Sequence, residues 1–136
     1  MEKRFMKDNL NGIVIMASEP IPNKTPTDVR GFFAERKSER DLADAFAIAS
    51  NKFWWVEDNV YDYEKGTPEY IAARAITDEW DALMDEYEER IFMILRNEGV
   101  EIPETGRIKV LEPFMKRNGY RDGNGWWIKN KESEQK

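Results

Sequence analysis

Between Thr67 and Gly99 the sequence carries one continuous helical pattern. Thr67 and Pro68 are a typical start, because threonine caps a first turn and proline is favoured at the first helical position. Gly99 can end the helix in the left-handed conformation that other residues avoid. Apolar residues recur every three or four positions, at Ala73, Ile76, Trp80, Leu83, Tyr87, Ile91 and Ile94. The pattern predicts one helix over residues 68–98, roughly 45 Å long.

A second long helical region precedes it. Thr25 and Pro26 repeat the same start, and Ser38 with Asp41 makes a capping pattern that predicts a kink or restart near Ser38. The apolar stripe that follows consists of Leu42, Phe46, Ala49, Phe53 and Val56. Two long helices joined by the short segment 57–66 predict an antiparallel hairpin.

The remaining segments favour β-structure. Residues 12–17 are apolar and β-branched and predict a strand, and residues 107–111 can form another. Pro113 can open a short helix that Gly119 closes. The turn "DGNG" lies between strand-favouring residues and predicts a hairpin over 120–129. The sequence therefore predicts an α+β fold: a long antiparallel two-helix hairpin packed on a small, mostly antiparallel sheet, in one domain over residues 1–130 with a disordered tail at 131–136.

The composition excludes much catalytic chemistry. The 136 residues include no Cys and no His, which removes thiolate nucleophiles, histidine general bases, zinc ribbons and imidazole metal ligands. We therefore expect no enzyme activity, no catalytic residues, no cofactor and no bound metal. The apolar runs are too short to span a membrane and the N-terminus lacks a signal-peptide pattern, which predicts a cytoplasmic protein without membrane contact.

The second long helix is strongly acidic. Between residues 78 and 90 it carries seven acidic residues and Arg90, a local net charge of −6 that equals the formal charge of the chain. Such a pattern is typical of a solvated helix face. It also suits a surface that docks a basic protein, and direct binding to nucleic acid is not expected at this charge. The candidate partner-binding carboxylates are Asp81, Asp85, Glu86 and Glu89.

A metal site is the alternative interpretation of these carboxylates. One face of the helix carries Asp78, Asp81, Asp85 and Glu89, and the upstream helix could oppose it with Glu35, Glu39, Asp41 and Asp44. Carboxylates so arranged could hold Mg²⁺ over a pyrophosphate, as in the all-helical nucleotide pyrophosphatases. The paired-glutamate signature of that group is absent from this sequence.

The C-terminal segment has the opposite charge. From residue 107 onward eight basic residues face four acidic ones, a local net charge of +4. Aromatic and basic side chains are interleaved there, which suits a small anionic, nucleotide-like ligand. The candidate ligand-binding residues are Phe114, Lys116, Arg117, Asn118, Tyr120, Arg121, Asn124, Trp126 and Trp127. A core role for the aromatic residues is the alternative, and hairpin alternation sends one of Trp126 and Trp127 inward. A DNA-binding helix and wing would need a basic overall balance that this chain lacks.

Trp54 and Trp55 form a second tryptophan pair, off the apolar stripe of their helix. At least one of them should meet another surface, either the sheet or a partner, because exposed tryptophan is common at interface hot spots. The acidic helix and the basic C-terminal segment also favour head-to-tail self-association. We therefore expect a non-catalytic intracellular binding or accessory protein, such as an inhibitor from a phage or mobile element. Its expected partners are another protein, a small anionic ligand and further copies of itself.

Overall fold

The computed structural model describes residues 25–60, 62–123 and 127–130. In these ranges the chain is mostly helical and carries one small antiparallel sheet, an α+β composition that agrees with the sequence. The elements in order are α1 Pro26–Phe33, α2 Glu39–Val60, α3 Pro68–Asn97, α4 Ile108–Arg117, β1 Tyr120–Asp122 and β2 Trp127–Lys129. The predicted strand at 12–17 and the predicted tail at 131–136 lie outside the described residues.

The starts of α1, α2 and α3 are where the sequence places them. The side chain of Thr25 accepts a hydrogen bond of 3.0 Å from the amide of Asp28 at the start of α1, and Thr67 caps α3 in the same way. Before α2, the amide of Asp41 donates to the Ser38 hydroxyl at 2.9 Å, and the Ser38 amide donates to the Asp41 carboxylate at 3.2 Å. This reciprocal pair confirms the predicted restart between α1 and α2.

The end of α3 also follows the prediction. Gly99 has φ of 88°, and the amide of Val100 donates to the Leu95 carbonyl at 2.9 Å. The amide of Gly99 reaches the Arg96 carbonyl, also at 2.9 Å. These two bonds satisfy carbonyls that the last helical turn leaves without partners, and only glycine adopts this φ without strain.

The middle of helix α2, residues 42–52, is buried on nearly all sides rather than along one stripe. Ala43, Ala45, Ala47 and Ala49 are each 1% exposed or less, although they point in different directions around the helix. The reason is that α1, α3 and β2 all contact α2, and the small alanine side chains allow neighbouring elements to approach closely. The core of the described structure is therefore centred on α2.

The stripe predicted for α3 is correct in the middle of the helix and wrong nearer its start. Trp80, Leu83 and Tyr87 are buried, but Ile76 is 39% exposed and Thr77 is buried in its place. The Thr77 hydroxyl donates to the Ala73 carbonyl one turn earlier, at 2.8 Å. Because that bond satisfies the hydroxyl, threonine can occupy a core position at little cost.

The predicted strand at 107–111 is wrong, because this segment begins helix α4. Leu111, Phe114 and Met115 are buried at helical spacing, whereas an alternating strand would bury a different set. Pro113 therefore lies inside the helix rather than at its start. The carbonyl that loses its partner to proline belongs to Lys109, which is exposed like Pro113, so water can replace the missing bond.

The predicted C-terminal hairpin is confirmed. Strands β1 and β2 pair antiparallel, with Tyr120 opposite Lys129, and the amide of Asn130 extends the pairing to the Gly119 carbonyl at 2.8 Å. Gly119 has φ of 94°, which lets the chain turn from α4 directly into β1. Two strands form the sheet of the described residues, and the single domain over 1–130 stays a prediction.

Candidate functional site

The C-terminal aromatic residues that the sequence proposed as stacking faces belong to the core. Phe114, Tyr120 and Trp127 are 1%, 0% and 7% exposed. The Trp127 ring lies 6.5 Å from the ring of Phe46 on α2, centroid to centroid. Trp127 is thus an inward-facing tryptophan, and the faces of these rings are covered by protein. Trp126 lies outside the described residues, as does the candidate Asn124.

The basic residues of the same set are engaged within the chain. Lys116 lies 3.4 Å from the carboxylate of Glu112, one turn earlier on α4. Arg121 donates to the side-chain oxygen of Asn130 across the hairpin at 3.1 Å. The two cations point to local partners, so the structure does not bring them together around a common ligand position.

Arg117 is the centre of an ion-pair network. It donates two hydrogen bonds to Glu39, at 2.8 and 3.0 Å, and two to Glu98, at 3.0 and 2.8 Å. The Asn118 amide donates to the same Glu39 carboxylate at 2.8 Å and to the Phe114 carbonyl at 2.9 Å. The hydrogen bond from Arg117, assisted by Asn118, lowers the pKa of Glu39. Arg117 and Asn118 therefore tie the end of α4 to the start of α2 and the end of α3.

We expect Arg117→Lys to lower the free energy of unfolding by about 1 kcal/mol, because an ammonium group cannot make the two forked pairs of the guanidinium. The side chains of Arg117, Glu39 and Glu98 are 40%, 37% and 41% exposed, so the loss should shrink at high salt. Urea unfolding at low and high ionic strength measures it. Arg96→Lys, which alters a single contact of 3.8 Å, is the matched control and should have almost no effect.

The lowered pKa of Glu39 gives the same prediction a pH dependence. Its stabilising contribution is complete above the unfolded-state pKa of a glutamate and is lost as the pH falls through the lower folded-state pKa. Acidification should therefore destabilise the wild type more than Arg117→Lys in this window. Parallel stability curves for the two proteins would contradict this role of Arg117.

Sequence reasoning missed a buried ion pair between α2 and the hairpin. The Tyr120 hydroxyl donates to Oδ1 of Asp44 at 2.5 Å, and the Lys129 ammonium donates to the same oxygen at 3.1 Å. The side chains of Lys129 and Asp44 are only 6% and 13% exposed. Burial of such charges is tolerated only when they are paired and hydrogen-bonded, as here.

Asn51 makes the second polar attachment of the hairpin. Its amide nitrogen donates to the Trp127 carbonyl at 3.0 Å, and its amide oxygen accepts from the Trp127 backbone nitrogen at 2.9 Å. The side chain therefore pairs with the outer edge of β2 as a neighbouring strand would. A signal was available in the sequence, since Asp44 and Asn51 are polar, two turns apart and set in an alanine-rich apolar helix.

Two of the predicted partner-binding carboxylates on α3 are contacted by arginines. Arg30 of α1 donates to Glu86 at 2.9 Å, and Arg96 lies 3.8 Å from Glu89. Glu86 and Glu89 are thereby partly neutralised from within the chain. Glu86 lies on another side of α3 from Asp81 and Asp85, whereas Glu89 follows Asp85 by one turn on the same face.

Asp81, Asp85 and Glu88 form a group beside Glu89, which we call the acidic ridge. Their spacing of four and three residues places them on one side of α3. Partial burial and the Asp81 carboxylate raise the pKa of Asp85, while burial and the Asp85 carboxylate raise that of Glu88. Arg107 lies 3.9 Å from Glu88 and opposes both effects. The ridge is thus an electrostatically unfavourable arrangement that a further cation would relieve.

The other tryptophan pair has one outward member. Trp54 is 46% exposed, and its ring meets that of Phe53 edge to face at 4.9 Å. Trp55 is partly buried against the core. The structure therefore separates the two predicted contact residues, with Trp54 at the surface.

The carboxylates proposed for magnesium are not gathered in the described part of the chain. There, no group of three or more Asp or Glu side chains is placed to hold a metal ion. Glu39, Asp41 and Asp44 instead accept hydrogen bonds from Arg117, from residue 38 and from Lys129. The pyrophosphatase alternative gains no support from this geometry.

Comparisons of the chain with protein-family models, with curated proteins and with solved structures found no match. Across the described ranges, every helix is too short or too polar to cross a membrane. On the described surface, the acidic ridge is a group of carboxylates that repel one another.

Proposed function

We propose that this protein is a non-catalytic binding protein that docks a positively charged protein on the acidic ridge of α3. The observation that supports the proposal is the placement of Asp81, Asp85 and Glu88 on one side of α3, where partial burial and then mutual repulsion raise the pKa of Asp85 and of Glu88. A lysine or arginine from a partner relieves this repulsion, so part of the binding free energy comes from strain already present in the free protein. The formal charge of −6 would also speed encounter with a basic partner.

We also infer the finer architecture that presents the ridge. In it, α2 and α3 form an antiparallel hairpin and the strands lie against α2. Glu57 near the end of α2 is 3.4 Å from Arg74 near the start of α3, which supports an antiparallel arrangement. The strands would then occupy a side of the hairpin away from the exposed Asp85, leaving the ridge open to a partner. Self-association stays a prediction, and the internal contacts of Arg117 and Arg121 reduce the basic charge available for it.

The test is binding of an oligoarginine peptide, measured by calorimetry at low and high salt. We expect the double variant Asp81→Asn, Asp85→Asn to bind about tenfold more weakly, at roughly 0.5–1 kcal/mol for each exposed charge pair. The same variant should unfold at a higher temperature, because like charges one turn apart destabilise a helix. Weaker binding together with greater stability distinguishes a binding surface from a structural one.

The matched control is Glu69→Gln with Glu101→Gln, which removes two exposed carboxylates away from the ridge. An equal loss of peptide binding in the control would mean that net charge alone attracts the peptide, and the proposal would be wrong. A natural partner should be captured by the wild type and the control but not by the ridge variant.

A further inference from the structure

Tyr87 on α3 has a buried hydroxyl group without a hydrogen bond. The residue is 1% exposed, and its oxygen has no hydrogen-bond partner in the part of the chain that the structure describes. An unpaired buried hydroxyl costs free energy, whereas phenylalanine would fill the same space without that cost. The hydroxyl therefore adds nothing to the packing of the core and points to a use outside it.

Two guanidinium groups lie close enough to Tyr87 to influence its phenol electrostatically. The Arg90 guanidinium carbon lies 5.7 Å from the centre of the Tyr87 ring. Arg30 of α1 donates to Glu86, the residue before Tyr87, at 2.9 Å. Burial and Glu86 raise the pKa of Tyr87 while Arg30 and Arg90 lower it, which agrees with both cations being close to the phenol.

We propose that Tyr87, Arg90 and Arg30 form a binding site for a phosphate group. In the ligand-free protein Arg30 is paired with Glu86 instead. The site would offer three donor groups, one hydroxyl and two guanidinium groups. A tetrahedral phosphate presents oxygens in separate directions and carries up to two negative charges, which suits two cations better than the single charge of a planar carboxylate. The phosphate also supplies the acceptor that the buried hydroxyl lacks.

The contact that must open is a weak one. The Arg30 and Glu86 side chains are 51% and 43% exposed, and ion pairs of such exposure contribute little to stability. When the Arg30 side chain moves to admit the ligand, it would lose its ion pair with Glu86 and gain one with the phosphate, so Arg30 would remain paired. This site uses a different side of α3 from the acidic ridge, so it does not depend on the proposed docking function.

The experiment compares melting temperatures in inorganic phosphate and in chloride at equal ionic strength. We expect phosphate to raise the Tm of the wild type and to raise that of Glu86→Gln further, because Arg30 is then free. Tyr87→Phe should melt about 3 °C higher than the wild type in chloride, since it removes an unpaired hydroxyl, but should lose the response to phosphate. Arg90→Gln should lose the response as well. Loss of the phosphate response without loss of stability in chloride thus distinguishes a binding role of Tyr87 from a core role.

Two further ligands define the chemistry. Acetate should leave the Tm of the wild type at its chloride value, and an equal rise with acetate would overturn the assignment of a phosphate site. A nucleoside monophosphate should raise the Tm at least as much as inorganic phosphate. A larger rise identifies a phosphate monoester as the ligand, and a smaller one contradicts a site open to esters.

Tyr120→Phe, which loses a paired hydroxyl, is the control and should be destabilised in both salts while keeping the phosphate response. No phosphate response in the wild type, or a full response in Tyr87→Phe, would refute the site.

Discussion

Replacing Asp44 with alanine is expected to lower the free energy of unfolding by about 3–5 kcal/mol, as removal of one partner from a buried ion pair commonly does. Lys129 would keep its charge at a site where its side chain is 6% exposed, and the Tyr120 hydroxyl would lose its acceptor. Urea unfolding followed by circular dichroism measures the loss. The hairpin should also exchange its amide hydrogens faster, because Asp44 joins it to α2.

The control for this prediction is Glu112→Ala, which removes the carboxylate from an exposed pair on α4. Glu112 is 38% exposed and 3.4 Å from Lys116, so its loss should cost about 0.5 kcal/mol or less. Adding Lys129→Met to Asp44→Ala should recover part of the stability, because no unpaired buried charge then remains. Equal costs for Asp44→Ala and Glu112→Ala would show that the buried pair is no stronger than a surface one.

Local rules predicted the starts of α1, α2 and α3 and the end of α3. Thr25, Ser38 and Gly99 act on backbone groups within a few residues of themselves, so their effect can be derived from neighbouring sequence alone. These features required no knowledge of the rest of the fold.

Features set by distant contacts were not predictable in the same way. Residues 107–111 are compatible with strand or helix, and the choice depended on which faces of Leu111 and Phe114 the core could accept. Ile76 and Thr77 show a similar limit, because helical spacing does not determine which of two adjacent residues turns inward. In both cases tertiary packing selected between conformations that the local sequence allows.

The candidate sites show the same division. The sequence identified the residue types at the C-terminus, but not that Arg117 would find Glu39, 78 positions away. It also identified the acidic helix without showing that Arg30 and Arg96 contact two of its carboxylates, Glu86 and Glu89. These pairings depend on the folded structure, so composition alone could not show which carboxylates of α3 lack a nearby arginine contact of this kind.

Trp127→Ala is expected to lower the free energy of unfolding by about 3–5 kcal/mol, the usual cost of deleting a buried tryptophan ring. The ring is 7% exposed and packs against Phe46, so its removal leaves a cavity between β2 and α2. The hydrogen bonds between Asn51 and Trp127 involve the backbone groups of Trp127 and not its ring, and alanine retains those backbone groups. The loss therefore reports on packing of the ring rather than on the polar attachment.

Trp54→Ala gives the matched comparison, because it deletes the same side chain from a position that is 46% exposed. Its cost should stay below about 1 kcal/mol, as for most surface substitutions. Trp127→Phe should fall between the wild type and Trp127→Ala, since it keeps an aromatic ring but less volume. Similar losses for Trp127→Ala and Trp54→Ala would mean that the hairpin is not part of the cooperative core. The expected difference of several kcal/mol would instead show that the two tryptophan pairs have different roles, with Trp127 holding the hairpin on α2 and Trp54 left at the surface for contact with another molecule.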